Sequence, residues 1–420
     1  MRWRWVVLPA LLVVAVGLGA GVWMLSRRVV LTEPPKDAGP RLFEQVFNKV
    51  KSSAVDPVSE QELYRRAAAG VIDELDDPYA ILLLPGEPAP PLEGTPVPPG
   101  LYLDRRDGLV VILATVPGSA ADSAGVQSGD RLIGVDSTIA DATRIDRLMA
   151  ALAGPTGTSV TLRLRRSGVR GPLNLVVTRR ALPTLPLLEA SLLSGGVARI
   201  RVRQPLPGIA DSIRRALEAL RSQGAKSLVL DLRSAVGGAL EDGVAMADLF
   251  LPQGAMIAMS RGRPSGATAR FTDHAPSPFE GMPLAVLIDA GTAGAAEIVA
   301  GALQDHDRAA ILGSRSFGHG VTESTFRLGA GGSLSLTTSL WITPSGRQIQ
   351  HPPRSASGDS LPVPKLKSDA GRVLVGGGGI VPDREIAETN HGDFALAEAR
   401  RILEHAGSQA EVLAMLGSKP

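Results

Sequence analysis

The residues of this 420-residue chain whose types and spacing could do chemistry fall in three short stretches. In SRSFGHGVTES (314–324), His319 and Glu323 stand four residues apart. In a strand that spacing turns both to one side, so they could meet as an imidazole and carboxylate pair acting as a base near neutral pH. Ser314 and Ser316 are hydroxyls close to His319 in the chain. In SAVGG (234–238), Gly237 and Gly238 suit a turn that needs two glycines. The third stretch, GTAGAAEIVAGALQD (291–305), reads as a strand-to-helix junction, where free helical N–H groups favour negative charge. Gly294 stands at that junction and has no side chain.

Composition removes several chemistries. Cysteine is absent, which excludes disulfides, thiolate metal sites and a cysteine nucleophile. The six histidines are dispersed, with no HExxH and no paired ligand spacing, so no metal is expected. Lys and Arg number 44 against 42 Asp and Glu, and the basic residues are scattered, which argues against nucleic acid as a partner. GGGG at 376–379 lacks the strand-to-helix context and the lysine of a phosphate loop, and reads as a flexible approach to a GIVPD strand. No cofactor is expected.

The elements that must position these residues follow from periodicity. VARIRVR (197–203) sets Ile200 and Val202 against Arg199, Arg201 and Arg203. The helix that follows places Ile209, Ile213, Leu217 and Leu220 on one side, and KSLVLDLR returns as a strand, giving a β-α-β unit. LAVLIDA (284–290), a helix from about 293 to 305, AAILG (309–313) and SLSLTTSLWIT (333–343) extend the scheme into an α/β core. Upstream, from 100 to about 180, the pattern is one of short strands. LVVILATV (109–116) is a buried run, VTLRLRR alternates with period two, and Ile145, Leu148, Met149 and Leu152 share a helical face.

The ends of the chain read differently. Residues 6–25 are twenty uncharged, mostly apolar residues, about 30 Å as a helix, flanked by Arg2, Arg4, Arg27 and Arg28 with Trp3, Trp5 and Trp23 near the ends. This predicts an uncleaved membrane anchor with the bulk of the chain outside the cytoplasm; a cleaved signal peptide is the rival reading. A polar linker and helical patterning follow, with Ser59 and Glu62 as a capping box. Seven prolines between 85 and 99 mark a boundary. The expected domains are 1–30 (anchor or signal), 40–84 (helical), 97–182 (small β-rich domain), 185–390 (α/β) and 391–420 (helical tail).

PGSAADSAGVQSGDRLIGVD (117–136), with its small-residue helix, Gly125 turn and Gly129-Asp130 pair, resembles a PDZ domain of the bacterial type. Such domains add a C-terminal peptide as a strand, with loop N–H groups holding its carboxylate. The resemblance implies that Gly100, Leu101, Tyr102 and Leu103 form that loop, although Tyr102 stands where glycine is usual. A small β-domain that merely packs on its neighbour would explain the apolar strands but not the turns joining them.

The wider set of blocks is similar to the carboxy-terminal processing, or tail-specific, serine peptidases. It comprises DPVSEQELYRRAAAGVIDELDDPYA, the PDZ stretch, GAKSLVLDLRSAVGGALEDGVAMADLFLP, AEIVAGALQDHDRAAILGSRSFGHG, LTTSLWITPSGRQIQ and GIVPD. The resemblance implies a crotonase-like α/β catalytic domain, a PDZ domain presenting substrate tails, and work outside the cytoplasm, in the periplasm or at the cell surface. It also implies a serine and lysine dyad, which falls on Gly294 and His319, both substituted. The base-orienting glutamine falls on Glu323, a second common serine on Ala296, and the oxyanion glycines on Gly237 and Gly238, preceded by Ser234-Ala235-Val236 instead of Asn-Asn-Pro. Asp305 is retained but lies about 16 Å along the helix from Gly294, so it should support the helix end or a neighbouring loop. The expectation is a membrane-tethered pseudopeptidase that holds C-terminal tails or unfolded segments, with an active peptidase paralogue as a further partner. The alternative is an active serine-type endopeptidase or hydrolase using His319 and Glu323.

Overall fold

The computed structural model describes residues 38–75, 77–86, 95–106, 108–140, 145–273, 275–329, 331–352, 365–386 and 392–417. The apolar run 6–25 lies outside them. Among the described residues no helix is long and apolar enough to cross a membrane.

Two compact units divide at Val71. The first is helical: α1 (Ala38–Ser53) is followed by α2 (Glu60–Asp73), whose Glu62 N–H donates to the Ser59 hydroxyl at 3.2 Å, the cap expected from sequence. Aromatic rings join the two helices, with Phe47 and Tyr64 centroids 4.6 Å apart. The helical region was expected to run to 84, but Ile81–Leu83 is a strand, β1, paired with residues 333–335. Three apolar residues carry no periodicity of their own, and only a partner some 250 residues away makes them a strand.

The second unit holds the remaining elements. Its first part is a six-stranded sheet of β2 (Leu101–Arg106), β3 (Leu109–Thr115), β4 (Arg131–Val135), β5 (Thr138–Ile139), β6 (Ser159–Arg165) and β7 (Leu173–Thr178). The strands run β2-β3-β4-β6-β7, with β5 beside β4, so β2 is an edge. Short α3 (Ala120–Ser123) and α4 (Ile145–Leu152) close one face over Leu101, Ile112, Leu132, Leu148, Leu152 and Leu162, all buried.

The second part is built on the β-α-β pattern. Strands β8 (Leu188–Leu193), β9 (Val197–Val202), β10 (Ser227–Asp231), β13 (Leu284–Ile288), β14 (Ala310–Gly313) and β19 (Arg384–Glu385) form one sheet in the order β19-β14-β13-β10-β9-β8. All neighbours pair in parallel except β8 with β9. Helices α5 (Ile209–Ser222), α6 (Leu240–Ala247) and α7 (Ala295–Asp305) bury one face, where Ile213, Leu217, Met246 and Ile298 meet Ile200, Leu230 and Val286. The opposite face, with Val229, Ala285 and Leu287, lies under α8 (Phe394–His405) and α9 (Gln409–Gly417). The segment expected as a tail is therefore the second helical layer, because residues alternating along a strand buried on both sides need cover on both sides.

A second sheet joins β1 to β16 (Ser333–Ile342), β11 (Met256–Gly262) and β12 (Ala269–Thr272), with β15 (Val321–Arg327) along β16. A small ribbon of β17 (Lys365–Lys367) and β18 (Val373–Val375) completes the set. The glycine run 376–379 is tightly packed and does not lead into a strand at 380–383. A Cβ at Gly379 would lie 2.3 Å from the Ser316 carbonyl oxygen, and one at Gly378 2.9 Å from the His351 ring. Positive φ at Gly377, Gly378 and Gly379 explains the composition better than mobility does.

Candidate functional site

Parallel strands end in loops that converge at their carboxyl edge, the usual place for a site in an open α/β sheet. Here β10 runs into 232–239 and β13 into 289–294. Buried Asp289 ties the two loops together. It accepts from the Ser234 N–H at 2.8 Å, the Ser234 hydroxyl at 3.0 Å and the Gly291 N–H at 2.9 Å. Burial pushes this carboxyl up, and the donors pull the other way. Ser234 thus has a structural partner in the segment where the resemblance would place asparagine.

Gly294 is the N-cap of α7, with φ 73° and ψ −129°, a backbone that side-chain-bearing residues rarely adopt. A Cβ there would lie 2.9 Å from the Gly237 carbonyl oxygen. That same oxygen accepts the Ala295 N–H at 3.1 Å. The glycine pair therefore presents an acceptor to the helix N-terminus, and the space a nucleophile would use holds backbone. Both glycines have φ near 85°, and a Cβ on Gly238 would lie 2.2 Å from the Pro205 carbonyl oxygen, so the turn requires them on steric grounds alone. Ala296 is buried within α7.

Sequence reasoning missed Glu297, the hub of the site. Fully buried in the first turn of α7, its carboxylate takes four donors: the Ser316 hydroxyl at 2.5 Å, the N–H groups of Gly318 and His319 at 2.8 Å each, and the Gly294 N–H at 3.2 Å. Burial drives the carboxyl up to about 7, although these donors and nearby His319 favour the ionised form. One oxygen of Glu297 accepts from both Gly294 and His319, so the structure brings these two residues together. The signal was present as a lone charge within AAEIVAGAL, where every neighbour is apolar or small. Ser316 is likewise engaged, since its oxygen accepts the Ile380 N–H at 2.6 Å.

His319 is buried in the loop before β15. Its Nδ1 lies 3.4 Å from Asp104 on β2, and its ring meets the edge of Tyr79 at a 5.0 Å centroid distance. Tyr79 donates to Asp104 at 3.4 Å and accepts from Gln350 at 3.3 Å, and burial pushes its phenol well above the ordinary value. The expected pairing with Glu323 assumed one continuous strand. The strand starts at Val321 and its register shifts between Thr322 and Glu323, which breaks the two-residue alternation. Glu323 is an electrostatic neighbour of Arg105. Asp104 and Tyr79 lay beyond sequence reasoning because they come to His319 from 215 and 240 residues away.

The other positions are placed as follows. Asp305 accepts the Ser345 N–H at 2.8 Å and forms a buried ion pair with Arg347, holding a loop to the end of α7. Gly100 has φ 110° and approaches Ser119 so closely that a Cβ would clash at 2.3 Å. The N–H groups of Gly100 and Leu101 both donate to the Val97 carbonyl, at 2.7 and 2.8 Å. A tail carboxylate would have to displace that oxygen. Leu101 and Leu103 face the core of the first sheet. Tyr102 faces the other way and packs with Val111, Leu113, Val236, Ala293 and Phe317. The aromatic ring where glycine is usual thus joins the small sheet to the α/β layer.

Comparisons with known proteins agree with this architecture. Residues 196–354 match the family described as Peptidase family S41, and residues 111–166 match a PDZ domain. The chain is 30% identical over 316 residues to the carboxy-terminal-processing protease of Bartonella bacilliformis, covering 73% of this chain and 72% of that one. It is 31% identical over 302 residues to the carboxyl-terminal-processing protease of Synechocystis sp., covering 70% of each. Among solved structures, the photosystem II D1 C-terminal processing protease superposes with a TM-score of 0.63 at 23% identity, over 89% of this chain and 99% of that one, a likeness of fold.

Proposed function

The chain belongs to the carboxy-terminal-processing proteases of peptidase family S41 and carries a PDZ domain, and from this premise we propose that it binds polypeptide tails without cleaving them. The observation that carries the proposal is Gly294. The nucleophile's position has no oxygen, its backbone is one that glycine favours, and the Gly237 carbonyl occupies the space beside it. A dyad normally contributes many orders of magnitude in rate, and here neither member is present. His319, at the base position, is packed against Tyr79 and Asp104, with no hydroxyl at 294 to activate.

The ligand in this proposal is the C-terminal tail or an unfolded segment of a protein outside the cytoplasm. It adds to the edge strand β2, with the loop Gly100–Leu103 as the carboxylate end of the groove. The run 6–25 serves as the membrane anchor, and an active family member is a partner whose substrates this chain shelters or presents. Extraction of cell membranes at alkaline pH tests the anchor: the full chain stays with the lipid, and release into the soluble fraction contradicts it.

Incubation with an unfolded protein substrate, beside Gly294→Ser/His319→Lys, tests the central part. The unaltered chain is expected to bind the substrate and leave it intact. Cleavage by the unaltered chain that disappears in His319→Ala contradicts the proposal.

A further inference from the structure

A cavity of about 220 Å³ lies between the PDZ sheet and the loops that follow β13 and β14. Its walls include Arg106, Leu109, Val111 and Arg131 from the sheet, and Ala290 and Phe317 from the loops. The ladder explains the grouping, since Arg106 pairs with Leu109 and Val111 with Arg131, which places all four on one face.

Two arginines thus line one small, largely apolar space. Arg106 stacks on the Phe317 ring at 3.8 Å and donates to the Phe317 carbonyl, which orients it without neutralising it. The Arg131 Nε is shut off from solvent and has no hydrogen-bond partner among the described residues. Among the described residues, the neighbouring carboxylates are engaged elsewhere. Asp104 turns to His319 and Tyr79, Asp130 is held by Arg166 in a two-pronged contact, and Asp289 and Glu297 accept from the loops. A guanidinium whose Nε has no partner, beside Leu109, Val111 and Phe317, suits a carboxylate carried on an apolar body.

We propose that this cavity is a second carboxylate site, separate from the loop Gly100–Leu103, in which Arg131 and Arg106 hold a carboxylate of the bound polypeptide. The carboxylate is either the free C-terminus or an acidic side chain. The inference rests on the tail-binding reading only for the source of its ligand.

Calorimetric titration of the full chain with three peptides separates the sources: acetyl-Ala-Ala-Leu with a free carboxylate, the same peptide as its amide, and acetyl-Ala-Ala-Glu-amide. Both carboxylate-bearing peptides are expected to bind at the cavity. Arg131→Gln should weaken that event at least about tenfold, and Arg131→Lys should restore part of it. Thermal melts establish that the variants fold. Binding of both acids at undiminished strength in Arg131→Gln overturns the cavity assignment and leaves the tail-binding reading standing. Arg131-dependent binding of the glutamate amide, with none of the free-carboxylate peptide, supports the cavity and contradicts tail binding. Absence of binding by any peptide overturns both.

Discussion

At the scale of single residues, the site centres on Gly294 and a buried carboxyl. Gly294→Ala places a Cβ 2.9 Å from the Gly237 carbonyl on a backbone of positive φ, so urea denaturation should show a loss on the order of 1–3 kcal/mol. Glu297 predicts a pH dependence. Its folded carboxyl is raised to about 7 from 4.5, so the native state holds a proton that the unfolded state releases earlier. Its contribution is fully present below about pH 4.5 and lost as pH rises to about 7, on the order of 3 kcal/mol across that window. Relative to Glu297→Gln, the unaltered chain should therefore lose stability between those pH values in paired denaturation curves. Parallel curves would contradict the assignment. Motif register singled out Gly294 and His319 in the sequence. The sequence hid Glu297's role because four donors, three of them from the distant loop 316–319, converge on it only in the fold.

At the scale of elements, helix α7 is held at both ends, at its start by Glu297 and at its close by Asp305 with Arg347. Removing one member of a buried ion pair strands the other, so Asp305→Ala should cost about 3–5 kcal/mol, and Asp305→Ala/Arg347→Met should recover much of it. Chemical denaturation of both variants checks this; equal losses would show that Arg347 is satisfied without Asp305. Elements with a strong period were readable from sequence. Ile209, Ile213, Leu217 and Leu220 are all buried on α5, and Ile200 and Val202 point into the core as expected. Elements defined by a distant partner were not, as β1 shows, and the glycine run 376–379 was misread because packing against Ser316 and His351 leaves no trace in local composition.

At the scale of the whole molecule, described for residues beyond Val71, the PDZ sheet meets the loops around Glu297 through Tyr102, Asp104 and Arg106. Tyr102→Gly removes the aromatic contact with Val236, Ala293 and Phe317. Loss of that burial, about 1–2 kcal/mol, should raise amide hydrogen exchange roughly tenfold at Ala293 and Phe317, which hydrogen-bond between loops beneath it. Unchanged exchange would mean that the polar contacts suffice. The division into an α/β layer and a PDZ domain was legible in turn residues and periodicity. Their mutual packing was not, because it depends on side chains such as Tyr102 and Asp104 meeting loops more than a hundred residues away. The most direct measurement is intact-mass analysis of the unaltered full chain after exposure to an acylating fluorophosphonate. The account predicts an unchanged mass, and a stoichiometric adduct mapped to any hydroxyl of the cleft formed by residues 234–238, 289–294 and 314–320 would contradict it.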